Sequence, residues 1–141
     1  MLKPKKPILS VQSFKAHLSG DEEVPARDTD ATGQTIFKLS KDGTSLSYKL
    51  IVANIENVST AHIHVGEFGS NGWVAVTLYG GGLIEGRTSG VLAEGVITSD
   101  VVTGYTLAEL LNIMVAGGTY VNVHTTQYPG GEIRGQISAN N

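Results

Sequence analysis

The feature that most constrains this chain is a two-residue rhythm. Short runs alternate apolar and polar side chains and are broken by glycine-bearing turns. Leu46, Tyr48, Leu50 and Val52 share one face of such a run, and Val121 and Val123 oppose Tyr120, Asn122 and His124 in another. Period two marks an extended strand with one buried side. The pattern predicts strands near 10–18, 33–39, 46–55, 60–65, 73–79, 91–97, 119–126 and 132–138. Lys41-Asp42-Gly43-Thr44 reads as a hairpin turn with Asp-Gly at its centre, and Tyr128-Pro129-Gly130-Gly131 as a second turn. The helical period surfaces once. Thr106-Leu107-Ala108-Glu109 fits a capping box, Leu107, Leu110, Leu111 and Met114 share a helical face, and Gly117 is a natural stop. The expectation is an all-β fold with one short helix: a two-sheet antiparallel sandwich or a barrel-like Greek key. A single domain would span 10–141, behind a flexible tail over 1–9.

Composition narrows the function classes. A chain of 141 residues supports one real core. It has no cysteine, which excludes disulfides, thiolate catalysis and thiolate-bound metals. A net charge of -3 argues against a nucleic-acid surface. No apolar run is long enough for a transmembrane helix. The opening Met1-Leu2-Lys3-Pro4-Lys5-Lys6-Pro7 has no apolar stretch behind its basic residues, so it is not read as an intact signal peptide.

The chemistry concentrates in two of the strands. In Ala61-His62-Ile63-His64-Val65 the two histidines leave the same face, and in Tyr120-Val121-Asn122-Val123-His124 a third shares its face with Tyr120 and Asn122. Were the strands neighbours, three imidazoles would converge. Neutral imidazole suits copper and zinc, and three nitrogens leave an open coordination position. Tyr120, Asn122, Glu132 and Arg134 are the candidate supporting groups, with Glu132 as the acceptor for a ring N–H. The alternative is a set of outward histidines bonded to Glu132, Asn122 or water, with Glu132 and Arg134 paired across a solvated sheet. Strand parity places this polar group on the outside of a sheet, where loops or the helix could roof it. His17 is read as a surface residue. Asp21, Glu22, Glu23, Asp28 and Asp30 read as a solvated loop, and Phe68, Trp73 and Tyr79 as core or loop anchors. Residues 66–72 are glycine-rich, but a strand follows and not a helix, so no phosphate cradle is expected.

Four segments carry a resemblance: Gly20-Asp21-Glu22-Glu23-Val24-Pro25, Ala61-His62-Ile63-His64-Val65-Gly66, Tyr120-Val121-Asn122-Val123-His124-Thr125 and Pro129-Gly130-Gly131-Glu132-Ile133-Arg134-Gly135-Gln136. Together the chain resembles the CHRD domain family, named after chordin, from about Phe14 to Ile137. The resemblance implies an extracellular immunoglobulin-like or superoxide-dismutase-like β-sandwich, found in a secreted antagonist and in exported bacterial proteins. The family's motif histidines fall at His62, His64 and His124. The His-x-His strand is also similar in layout to the copper strand of copper-zinc superoxide dismutases. The expected function is therefore a secreted or periplasmic domain that binds copper, or zinc, through three histidines, with a redox role open to it. A metal-free extracellular module that binds a protein partner is the competing expectation.

Overall fold

The structure, a computed structural model, describes residues 11–140. The tail expected over residues 1–9 lies outside them. Among the described residues there are eight strands and one α-helix: β1 Ser13–Ser19, β2 Thr32–Leu39, β3 Leu46–Val65, β4 Trp73–Tyr79, β5 Ile84–Ile97, α1 Leu107–Val115, β6 Thr119–Thr125, β7 Ile133–Gln136 and β8 Ser138–Ala139. The chain is thus all-β with one short helix. The hairpin at Asp42-Gly43 joins β2 to β3. The Asp42 carboxylate accepts from the Ser40 and Thr44 hydroxyls and from the Thr44 amide, which fixes the turn.

Five strands close a ring. β1 pairs β2 from Ser13↔Lys38 to Ser19↔Thr32, and β2 pairs the first part of β3 from Leu39↔Leu46 to Thr32↔Ala53. The second part of β3 pairs β6 from Val58↔Thr125 to Val65↔Thr119. β6 pairs β7, and β7 returns to β1 at Ser19↔Arg134. All these pairs are antiparallel. β4 and β5 add to β3, and β8 adds to β1.

The expected Greek-key sandwich is therefore corrected to a closed barrel-like ring with extra strands. The reason lies in β3. The segments expected at 46–55 and 60–65 are one strand of 20 residues, long enough to serve β2 with one part and β6 with the other. Two of its register shifts against β5 span Asn54 and Asn57, which take left-handed φ of 58° and 56°. Asparagine tolerates that conformation better than most residues. The ring closes where β7 meets β1 because position 135 is glycine: a Cβ there would run into the His17 carbonyl.

Alternation does its expected work inside the ring. Phe14, Leu18, Phe37, Leu50, Ile63, Val121, Val123, Ile133 and Ile137 are buried in one core. Helix α1 packs Leu107, Leu110, Leu111 and Met114 into the same core. Both arms of its capping box are made, Glu109 N–H to Thr106 Oγ1 at 3.1 Å and Thr106 N–H to Glu109 Oε1 at 2.8 Å. Gly117 ends it with φ 82°. No helix among the described residues is long and apolar enough to cross a membrane.

Candidate metal centre

β3 and β6 are neighbours. Their register sets His62 against Asn122, His64 against Tyr120 and Thr60 against His124. All five of these side chains beyond Thr60 have the parity that faces away from the core. The three imidazoles meet there: ring centroids lie 5.5 Å apart for His62–His64, 5.0 Å for His62–His124 and 5.9 Å for His64–His124. One nitrogen from each ring lies within 4.8 Å of the other two. His17, exposed on β1 opposite Gln34, is outside this group.

Outward parity does not mean solvent here. His64, Tyr120, Asn122, Glu132 and Arg134 are all buried. Two loops form the roof, and the helix does not. The loop after β1 brings Glu23 onto Asn122 Nδ2 at 2.7 Å and Thr29 onto Glu132 at 2.7 Å. The loop at residues 66–72 is tied to it by Asn71 Nδ2 donating to the Val24 carbonyl at 3.0 Å. Glu23, expected in a solvated loop, is thus a buried acid. Burial pushes its pKa up to about 7, against the opposing pull of Arg134, Arg27 and the Asn122 hydrogen bond. Phe68 and Trp73, expected as anchors, are 71% and 83% exposed, while Tyr79 is half-buried and donates its hydroxyl to the Gly82 carbonyl.

Hydrogen-bond partners assign the ring tautomers. His64 Nδ1 lies 3.1 Å from the Gly72 carbonyl and His124 Nδ1 2.7 Å from the Pro129 carbonyl. A carbonyl only accepts, so both Nδ1 atoms carry hydrogen. His62 Nε2 lies 3.3 Å from Thr60 Oγ1, whose own hydrogen goes to the Tyr79 carbonyl at 2.7 Å. With that hydrogen committed, Thr60 Oγ1 offers a lone pair to His62 Nε2–H, the tautomer of His62 that leaves its Nδ1 bare. The remaining atoms, His62 Nδ1, His64 Nε2 and His124 Nε2, are bare lone pairs turned toward a common point. His62 Nδ1 and His124 Nε2 face each other at 3.3 Å, and in this tautomer of His62 neither carries a hydrogen. His64 Nε2 is buried without a partner. An unmet buried acceptor costs about 1–3 kcal/mol.

The site resists protonation. Burial lowers the pKa of all three rings. His62 falls to about 4, through burial first and then the charges of His124 and His64. Hydrogen bonds donated to the Gly72 and Pro129 carbonyls oppose the shifts of His64 and His124 without reversing them. A cation other than the proton fits this donor set. Nitrogen ligands sit about 2.0–2.1 Å from zinc, so two of them around one ion stand roughly 3.3–3.5 Å apart. The His62–His124 edge already has that spacing, and the other two lie within 4.8 Å.

The four expected supporting residues divide. Tyr120 stacks on His64, with centroids 4.8 Å apart and planes 2° from parallel, and its hydroxyl accepts the Gly72 amide at 3.0 Å. Arg134 does not pair with Glu132 on a wet sheet. It is 1% exposed, its Cζ lies 3.5 Å from the Tyr120 centroid, and it donates to Asn71 Oδ1 and to the Glu67 and Ser70 carbonyls. It thereby holds the loop whose Gly72 carbonyl orients His64. Glu132 bonds no histidine. It accepts from Thr29, Thr125 and Gln127 at 2.7–2.9 Å, bracing the turn that carries Pro129. Sequence reasoning missed Thr60, Gly72 and Pro129, the direct partners of the rings. Two of them act through backbone carbonyls, which no residue type announces, although the Pro129-Gly130-Gly131 turn was legible.

The CHRD domain family model matches residues 14–137. The chain belongs to the CHRD domain family. The match runs from the second residue of β1 through β7 and includes the helix and all three converging histidines of this CHRD domain. No curated protein matches the chain.

Proposed function

We propose that this CHRD domain is an exported protein that binds one transition-metal ion, copper, with zinc as the alternative, through His62, His64 and His124. One observation carries the reading: every outer ring nitrogen is committed to a carbonyl or hydroxyl, so three bare inner nitrogens converge in a poorly solvated cage. Three protein donors leave a position open to a small molecule, and a bound copper ion would supply one-electron chemistry there. This chain's own contribution is to hold the donors, fix their tautomers and limit water. The competing reading, a metal-free module that binds a protein partner, is favoured by the exposed Phe68 and Trp73.

Titration of the apo protein with Cu(II), followed by paramagnetic resonance, tests the proposal. The expected spectrum shows hyperfine coupling to several nitrogens at one ion per chain, reduced in His64→Ala and in His124→Ala. Identical spectra for all three proteins would reject the site.

A further inference from the structure

The charged group stacked onto the Tyr120–His64 pair is a cation. Among the described residues no carboxylate joins the metal-binding group. Glu132 has both oxygens committed to Thr29, Thr125 and Gln127. Glu23 accepts from Asn122, and burial pushes its pKa up to about 7, so it is mainly the neutral acid below that pH. The fixed charge nearest the stack is positive. β6 lies between β3 and β7, so His64 and Arg134 reach the Tyr120 ring from opposite sides. The guanidinium Cζ is 3.5 Å and the imidazole centroid 4.8 Å from that ring's centroid. Arg134 bonds only neutral acceptors, and among the described residues the ion pair within 4.0 Å is elsewhere, Arg87 with Glu56.

We infer that this centre selects a monovalent cation, cuprous copper, over divalent copper or zinc, and that Arg134 sets the preference. The inference rests on the metal-binding reading above. Three neutral nitrogens leave the whole ionic charge uncompensated. Desolvation of an ion rises steeply with its charge, and repulsion from a fixed cation rises linearly. A divalent ion is therefore penalised more than a monovalent one in a site with no anionic ligand. Geometry points the same way. Three donors complete the trigonal shell that cuprous copper accepts, whereas divalent copper seeks a tetragonal set and zinc a fourth ligand. Arg134 thus acts through Tyr120 as a specificity-determining residue without touching the ion.

The test compares affinities for the metals alone. Cuprous binding is measured anaerobically by competition with a chromophoric chelator, and Cu(II) and Zn(II) by parallel competition. Wild type is expected to hold the cuprous ion at least about a hundredfold more tightly than either dication. Equal or tighter Cu(II) or Zn(II) binding overturns the inference and leaves the metal site standing. No measurable binding of any of the three ions sinks the site and the inference together. Arg134→Gln removes the charge and Arg134→Lys keeps it while losing the fork that grips the loop. The Cu(II)-to-cuprous affinity ratio is expected to rise about tenfold in Arg134→Gln, a potential drop of about 59 mV, and to stay near wild type in Arg134→Lys. Equal changes in both variants would show that the loop and not the charge matters, and would refute the role of Arg134. At pH 8, where the Glu23 carboxylate is ionised, Glu23→Gln removes a negative neighbour of Arg134 and should move the ratio the opposite way; if Arg134→Gln does not fold, an unmoved ratio in Glu23→Gln at that pH counts against the role of local charge.

Discussion

Replacing His62 with alanine separates what the centre contributes to binding from what it costs the fold. With free metal at about a hundred times its dissociation constant, linkage stabilises the native protein by about 2.7 kcal/mol. For a domain of this size that corresponds to a rise in melting temperature of about 10 °C. His62→Ala removes one of three donors and the member of the 3.3 Å nitrogen pair already at ligand spacing. The metal-dependent rise should fall below about 3 °C. The apo variant should behave differently. It loses a half-buried ring but also relieves two facing lone pairs, so its melting temperature at pH 7 should lie within a few degrees of wild type. Acid separates the two further. The native pKa of His62 is lowered from 6.5 to about 4. Between those values the unfolded chain binds more protons than the folded one, so stability is full above 6.5 and declines as pH falls through the window. His62→Ala lacks this contribution, and its acid decline should be shallower. Circular dichroism melts at pH 7 and pH 5, with and without metal, read all of this. An undiminished metal-dependent rise in the variant, or an acid decline as steep as wild type, would refute the reasoning.

Three further outcomes follow from the roof, the turn and the helix. Glu23 has a native pKa raised from 4.5 to about 7, so the folded state binds more protons between those values and ionisation destabilises it as pH rises through 7. Glu23→Gln should therefore gain stability over wild type at pH 8 and lose that advantage by pH 5; urea midpoints that differ by the same amount at both pH values would contradict it. Glu132→Gln should cost about 2 kcal/mol by weakening charge-assisted bonds from Thr29, Thr125 and Gln127. By loosening the turn that carries Pro129, it should also weaken metal binding about tenfold, and unchanged affinity would disconnect Glu132 from His124. Thr106→Ala should cost about 1 kcal/mol through the lost cap and leave metal affinity unaltered, because α1 gives the centre no side chain; a joint loss in titration and denaturation would show otherwise.

Much of the centre was legible because strand parity is a local property. His62, His64, Tyr120, Asn122 and His124 each face the side that alternation assigns them, and the pairing of β3 with β6 does the rest. The capping box at Thr106 and the turn at Asp42-Gly43 were legible for the same reason, since their partners lie two to three residues away. What escaped depends on distant chain. The two left-handed asparagines that let β3 continue through both pairings carry no strand signal. Glu23 looks solvated by residue type and is buried because a loop lies over Asn122. Trp73 looks like core and is exposed at the start of β4. Arg134 reads as one half of a surface pair until the loop at residues 66–72 folds over it.

The position of β6 has a consequence for the proposed capture of an ion. Flanked by β3 on one side and β7 on the other within a circuit that has no loose end, it cannot slide by one residue without turning His124 into hydrocarbon and breaking two ladders at once. Topology, and not the guest, thus sets the receptor's shape. On the proposed reading, the backbone needs little ordering when an ion arrives, and only the rings have to turn.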